Sequence, residues 1–113
     1  MQKINKENIG NRFKKASATY DEYAVVQKMM AHELVSRLKS YGYSTFGTVY
    51  EIGICTGILT KIIARELKHK QLFCNDLFAE SYSYIKELCD SSNFYAADGE
   101  SVELIPENTD LII

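Results

Sequence analysis

Glu51-x-Gly53-x-Cys55-x-Gly57 is the first group in this sequence whose residue types and spacing suggest chemistry. It lies inside VYEIGICTGILT, where a β-branched and aromatic run gives way to small residues and then to a helical pattern. A strand turning through a glycine loop into a helix presents free backbone N–H groups at the helix start. Together with the helix macrodipole, these suit an anionic or carboxylate group. Two more carboxylates stand at comparable places. Asp76 closes an apolar run 19 residues after Gly57, and in dinucleotide-type folds an acid about 20 residues on bonds ribose hydroxyls. Asp98 follows the next apolar run, where a carboxylate can accept a hydrogen bond from an adenine amino group. The plainer reading of each is an ordinary turn, a helix cap or a solvated loop acid. Three such signals at three successive strand ends favour a ligand site.

The elements that must position these residues are legible from periodicity. Residues 5–17 form a polar arm with Ile9, Phe13 and Ala16 at helical spacing. From Asp21 to Ser40, Tyr23, Val26, Met30, Leu34 and Leu38 make the apolar stripe of an amphipathic helix, which Gly42 or Gly47 can end. Thr48–Gly53 reads as a strand, followed by a helix with Leu59, Ile62, Ile63 and Leu67 on one face. Residues 71–75 read as a second strand, and Phe78, Tyr82, Ile85 and Cys89 mark a second crossover helix. Asn93–Ala97 and Thr109–Ile113 supply a third and a fourth strand.

Alternating strands and helices imply an α/β fold with a parallel sheet. Right-handed crossovers put the strands in the order 3-2-1-4, a Rossmann-like arrangement whose switch point lies beside strand 1. The expectation is a single domain over 1–113, with 1–40 as a helical arm or lid and 48–113 as the α/β half-domain that holds the ligand.

Composition narrows the function classes. The 113 residues carry 13 basic and 15 acidic side chains, for a net charge of −2, so no basic excess argues for nucleic acid or an anionic membrane surface. Cys55, Cys74 and Cys89 contain no C-x-x-C pair, and His32 and His69 stand 37 residues apart. Neither a zinc site nor a disulfide framework is expected. No apolar leader or membrane-length stretch is visible, and the expectation is a cytoplasmic, reducing setting.

The motif VYEIGICTG resembles the first motif of class I S-adenosylmethionine-dependent methyltransferases, an acid followed by three alternating glycines. Gly53 and Gly57 match the first and third glycines, and Glu51 the acid. The resemblance implies S-adenosylmethionine as cofactor, with Glu51, Gly53, Ile54, Cys55 and Gly57 around its methionine part. It further implies Asp76 and Leu77 at the ribose, and Asp98 and Gly99 at the adenine. The opening, with Phe13, Ala16, Tyr20-Asp21, Tyr23-Ala24 and Gln27 before the amphipathic helix, is similar to that of malonyl-acyl-carrier-protein O-methyltransferases of biotin synthesis. That narrower resemblance implies acyl carrier protein bearing a malonyl thioester as partner. It also implies a place for Tyr20 near the transferred methyl; packing of a lid helix on the sheet is the alternative for Tyr20 and Gln27.

Two departures stand out. Cys55 occupies the place of the family's middle glycine. If that backbone is left-handed, a side chain there costs roughly 1–2 kcal/mol, and a thiol at a helix start could also be reactive. Family members are also longer, with strands beyond the fourth, so the chain reads as a truncated methyltransferase half. Three alternatives stay open. One is another small-molecule methyltransferase, and another is a nicotinamide-dependent oxidoreductase, which would want G-x-G-x-x-G. The third is a non-catalytic fragment that forms a homodimer through the exposed edge of strand 4.

Overall fold

The computed structural model describes residues 25–113. Helix α1 spans Val25–Ser40, strand β1 Thr45–Ile52, helix α2 Ile58–Glu66 and strand β2 Lys68–Asp76. Two 3-10 turns, Ala79–Tyr84 and Ser91–Asn93, lead into strand β3 at Phe94–Ala96. A third 3-10 turn, Val102–Leu104, precedes strand β4 at Leu111–Ile112. All pairings are parallel and the order is β3-β2-β1-β4, the order expected from the alternating pattern.

The central pair is in register over most of its length, with Val49 opposite Leu72 and Glu51 opposite Cys74. Val49, Leu72 and Cys74 join Ile62, Ile63 and Leu67 in the buried core, together with Ala31 and Val35 of α1. Alternation along the strands turns the next residues to the opposite face. There Tyr50, Phe73 and Tyr95 stack across three strands, with Tyr95 6.3 Å from each of the other two.

Three local expectations are corrected. The helix 25–40 buries Ala31 and Val35, while Val26, Met30 and Leu34 of the expected stripe are exposed. Two apolar rows run along this helix, and the one with the smaller side chains lies in the core. Close approach of α1 and α2 accounts for that choice, since a row of Ala and Val admits a neighbouring helix where Met and Leu would hold it off. Next, β1 begins at Thr45, so Gly47 lies inside the strand rather than ending the helix. The Gly47 and Thr48 N–H groups donate to Asp110 Oδ2 at 2.7 and 3.0 Å, which ties the strand to the approach to β4.

The third correction concerns residues 78–89, which form 3-10 and open turns in place of an α-helix. Ser83 Oγ donates to the Glu80 carbonyl at 2.8 Å and Ile85 N–H to the Tyr82 carbonyl at 3.0 Å, both three-residue steps. Serines and tyrosines are indifferent helix formers, and serine hydroxyls compete for backbone groups. The side chains still reach their expected places. Ile85 and Cys89 are buried, and Tyr82 OH donates to the Cys89 carbonyl at 2.7 Å.

Candidate functional site at the carboxyl ends of the strands

The loop after β1 has left-handed backbone at three alternate positions: φ is 69° at Gly53, 54° at Cys55 and 82° at Gly57. Gly57 is the residue immediately before α2. A Cβ on it would lie 2.6 Å from Ile85 Cγ2, so both its φ and the packing of the 78–89 segment require glycine. A Cβ on Gly53 would meet no atom within 4 Å; only the conformation demands glycine there, and the space beside it is open. Cys55 is therefore a non-glycine residue in left-handed backbone, and the condition under which a side chain there is costly is met.

Asp76 fixes this loop. Its Oδ2 accepts the Cys55 N–H at 2.9 Å and its Oδ1 the Phe78 N–H at 3.1 Å, so one buried carboxylate joins the ends of β1 and β2. The Ile54 N–H donates to the Asn75 carbonyl at 3.0 Å, a second tie across the same gap. Ile54 is buried and anchors the loop, whereas Leu77, just beyond Asp76, is exposed.

Asp98 and Gly99 lie in the turn after β3. Asp98 Oδ1 accepts the Glu100 N–H at 3.0 Å. A Cβ on Gly99 would fall 2.7 Å from Ile52 Cγ2, which places this turn against the last residue of β1. The structure thus brings Glu51, Gly53, Ile54, Cys55, Gly57, Asp76, Asp98 and Gly99 to one end of the sheet. Tyr20 lies outside the described residues.

A cavity of about 430 Å³ opens at this end, between the Glu51–Thr56 segment, the start of α2, and Gln27, Met30, Ala31 and Leu34 of α1. Its volume falls in the range of small-molecule sites, roughly 300–1,000 Å³. The exposed side chains Met30 and Leu34 thereby acquire a role: they wall the cavity. Glu51 reaches it from β1 while only 1% exposed. Thr60 Oγ1 donates to Glu51 Oε1 at 2.6 Å. Burial pushes the Glu51 carboxyl up to about 7, with the Thr60 bond opposing the rise and Asp76 adding to it. Burial also raises the Cys55 thiol, helped by Asp76 and Glu51. Burial and two nearby carboxyls thus work against thiolate formation at Cys55, in line with a substitution of the family's glycine rather than a reactive thiol.

Sequence reasoning missed Thr60 and Asn75. Thr60 lies three residues past Gly57, in the first turn of α2, and its hydroxyl reaches back to Glu51 of β1. The Asn75 amide donates to the Tyr95 and Ala97 carbonyls at 3.1 and 2.8 Å, and so holds the end of β3 beside β2. An amide directly before the strand-ending acid was the available signal. Among the described residues no group of three His, Cys, Asp or Glu side chains could hold a metal ion. Nor is any described helix long and apolar enough to cross a membrane.

No family model matches the chain. Among curated proteins it is 33% identical over 111 residues to the malonyl-[acyl-carrier protein] O-methyltransferase of Chlorobium phaeovibrioides, covering 93% of this chain and 43% of that protein. The enzyme of the same description from Priestia megaterium is 32% identical over 97% of this chain and 40% of its own length. For the one from Bacillus cereus the figures are 35%, 97% and 42%. The chain spans about two-fifths of the length of the curated relatives it matches. Sheet order and sequence similarity agree: over nearly its whole length this chain resembles one part of a class I methyltransferase, and the relatives that carry that part are malonyl-[acyl-carrier protein] O-methyltransferases.

Proposed function

We propose that this chain holds S-adenosylmethionine at the carboxyl ends of β1, β2 and β3, as the cofactor-binding part of a methyltransferase acting on the free carboxylate of a malonyl thioester carried by acyl carrier protein. The observation that carries the reading is the left-handed Gly53–Gly57 loop tied to Asp76 beside a cavity of ligand size. Open space next to Gly53 and a buried carboxyl at Glu51 suit the methionine part of that cofactor. The two Asp76 oxygens each accept one backbone N–H and retain acceptor capacity for ribose hydroxyls. Gly99, against Ile52 at the end of β1, and its neighbour Asp98 are the residues this reading assigns to the adenine.

When bound, the cofactor supplies an electrophilic methyl group on a sulfonium. The acceptor carboxylate is ionised at neutral pH, so the chain needs no general base. Its own work is positioning, the larger part of such catalysis when reacting atoms must be aligned. Met30, Leu34 and Ile54 line the cavity with apolar side chains, and residues 53–56 of the loop border it. Tyr20, by resemblance, would shape the space where the acceptor enters. Three free cysteines, two of them buried, accord with a reducing, cytoplasmic setting.

Calorimetric titration with S-adenosylmethionine tests the reading. Asp76→Asn should weaken binding at least about tenfold, the loss expected for a charge-assisted hydrogen bond. Equal affinity in the variant would refute the ribose assignment.

A further inference from the structure

Among the described residues, Glu51 is a carboxyl with a neutral partner and no cation beside it. One oxygen accepts from the Thr60 hydroxyl at 2.6 Å, and the side chain is only 1% exposed. Around it, α1 contributes apolar side chains and Gln27 to the cavity, and the loop contributes Cys55. From β2 come Cys74, opposite it in register, and Asp76. Just past β4, Ile113 accepts the Ile52 N–H at 2.9 Å, and in the 113-residue chain its terminal carboxylate is an ionisable group at this end. Among the described residues lining the cavity there is no Lys, Arg or His. Among the described residues an ionised Glu51 would have no compensating charge, and proteins avoid such buried charges by keeping the group neutral.

We infer that Glu51 is the proton-release site of ligand binding: a cationic ligand enters this cavity as the Glu51 carboxyl gives one proton to solvent and becomes the ligand's counter-charge. The inference rests on the cofactor reading above and adds to it a proton coupling. The balance is simple. A neutral carboxyl and a cation on one side become an ion pair and a solvated proton on the other, with no covalent change in the ligand. The sign follows from linkage. The free carboxyl ionises near 7, and the bound cation lowers that value, so affinity rises with pH up to about 7 and then levels.

The test is calorimetric titration of the 113-residue chain with S-adenosylmethionine at pH 6 and pH 8, in buffers of different ionisation enthalpy. At pH 6 the parent should release close to one proton more per bound ligand than Glu51→Gln. That comparison removes any proton lost by the ligand's own amino group. At pH 8 the excess should vanish. Parent affinity should be about tenfold lower at pH 6 than at pH 8 relative to the variant. If Glu51→Gln does not fold, Thr60→Val serves instead: loss of its hydrogen bond to the carboxylate should move the midpoint of proton release to higher pH. Saturable binding with equal proton release in parent and variants would overturn the inference and leave the cofactor reading standing. Absence of saturable heat at either pH would overturn the cofactor reading and the inference together.

Discussion

Cys55 carries a side chain at a φ of 54°, where a β-carbon crowds the following carbonyl. Replacing it by glycine removes that cost, roughly 1–2 kcal/mol, against the unfolded-state entropy that glycine adds, roughly 0.5–1 kcal/mol. The thiol also lines the cavity, so its loss gives a ligand more room. Cys55→Gly should therefore raise the midpoint of thermal unfolding by a few degrees and tighten S-adenosylmethionine binding. Scanning calorimetry with ligand titration checks both; a lower midpoint with weaker binding would show that the loop has adapted to the sulfur. At this scale the sequence was informative where a residue type is tied to a backbone state. The glycines marked the turn, and the left-handed backbone at Cys55 was raised as a condition by the resemblance, in which a glycine stands at that place. Thr60 gave no such signal, because a hydroxyl on a helix has many ordinary uses, and only the position of Glu51 across the gap gives it this one.

Strand ends, in contrast to single residues, are held by side chains that reach between elements. Asn75 sits in β2, is 1% exposed, and satisfies two carbonyls at the end of β3. Asn75→Ala leaves those carbonyls without their donor and should cost about 1–3 kcal/mol. It should also free the Tyr95–Ala97 backbone, seen as faster amide exchange confined to β3 and the turn that carries Asp98. Uniformly faster exchange across the sheet would mean that Asn75 serves global packing instead. Periodicity found every strand and both described α-helices. It misjudged residues 78–89, where local serine and tyrosine hydrogen bonds prevail over an i, i+4 pattern that tertiary contacts preserve only at Ile85 and Cys89. On α1, two apolar rows competed, and packing against α2 decided between them. That information lies in the partner helix and not in the segment itself.

For the molecule as a whole, the order β3-β2-β1-β4 follows from right-handed crossovers, and it is what gathers three distant sequence signals at one end of the sheet. The same order leaves β4 at the sheet edge, where Leu111 and Ile112 pair with Val49 and Tyr50 and the Asp110 and Ile113 N–H groups donate to the Thr48 and Tyr50 carbonyls. The homodimer expected through this edge is a separate proposal, checked by light scattering of the chain in solution. The site depends on the switch point beside β1, where α1, the glycine loop and Asp76 converge. Backbone amide NMR of the 113-residue chain with added S-adenosylmethionine, and separately with NAD, tests that placement most directly. The account predicts saturable shifts from S-adenosylmethionine concentrated at Gly53–Gly57, Asp76–Phe78 and residues 97–99, with none from NAD. Shifts confined to other parts of the chain, or saturable shifts at this site from NAD alone, would contradict it.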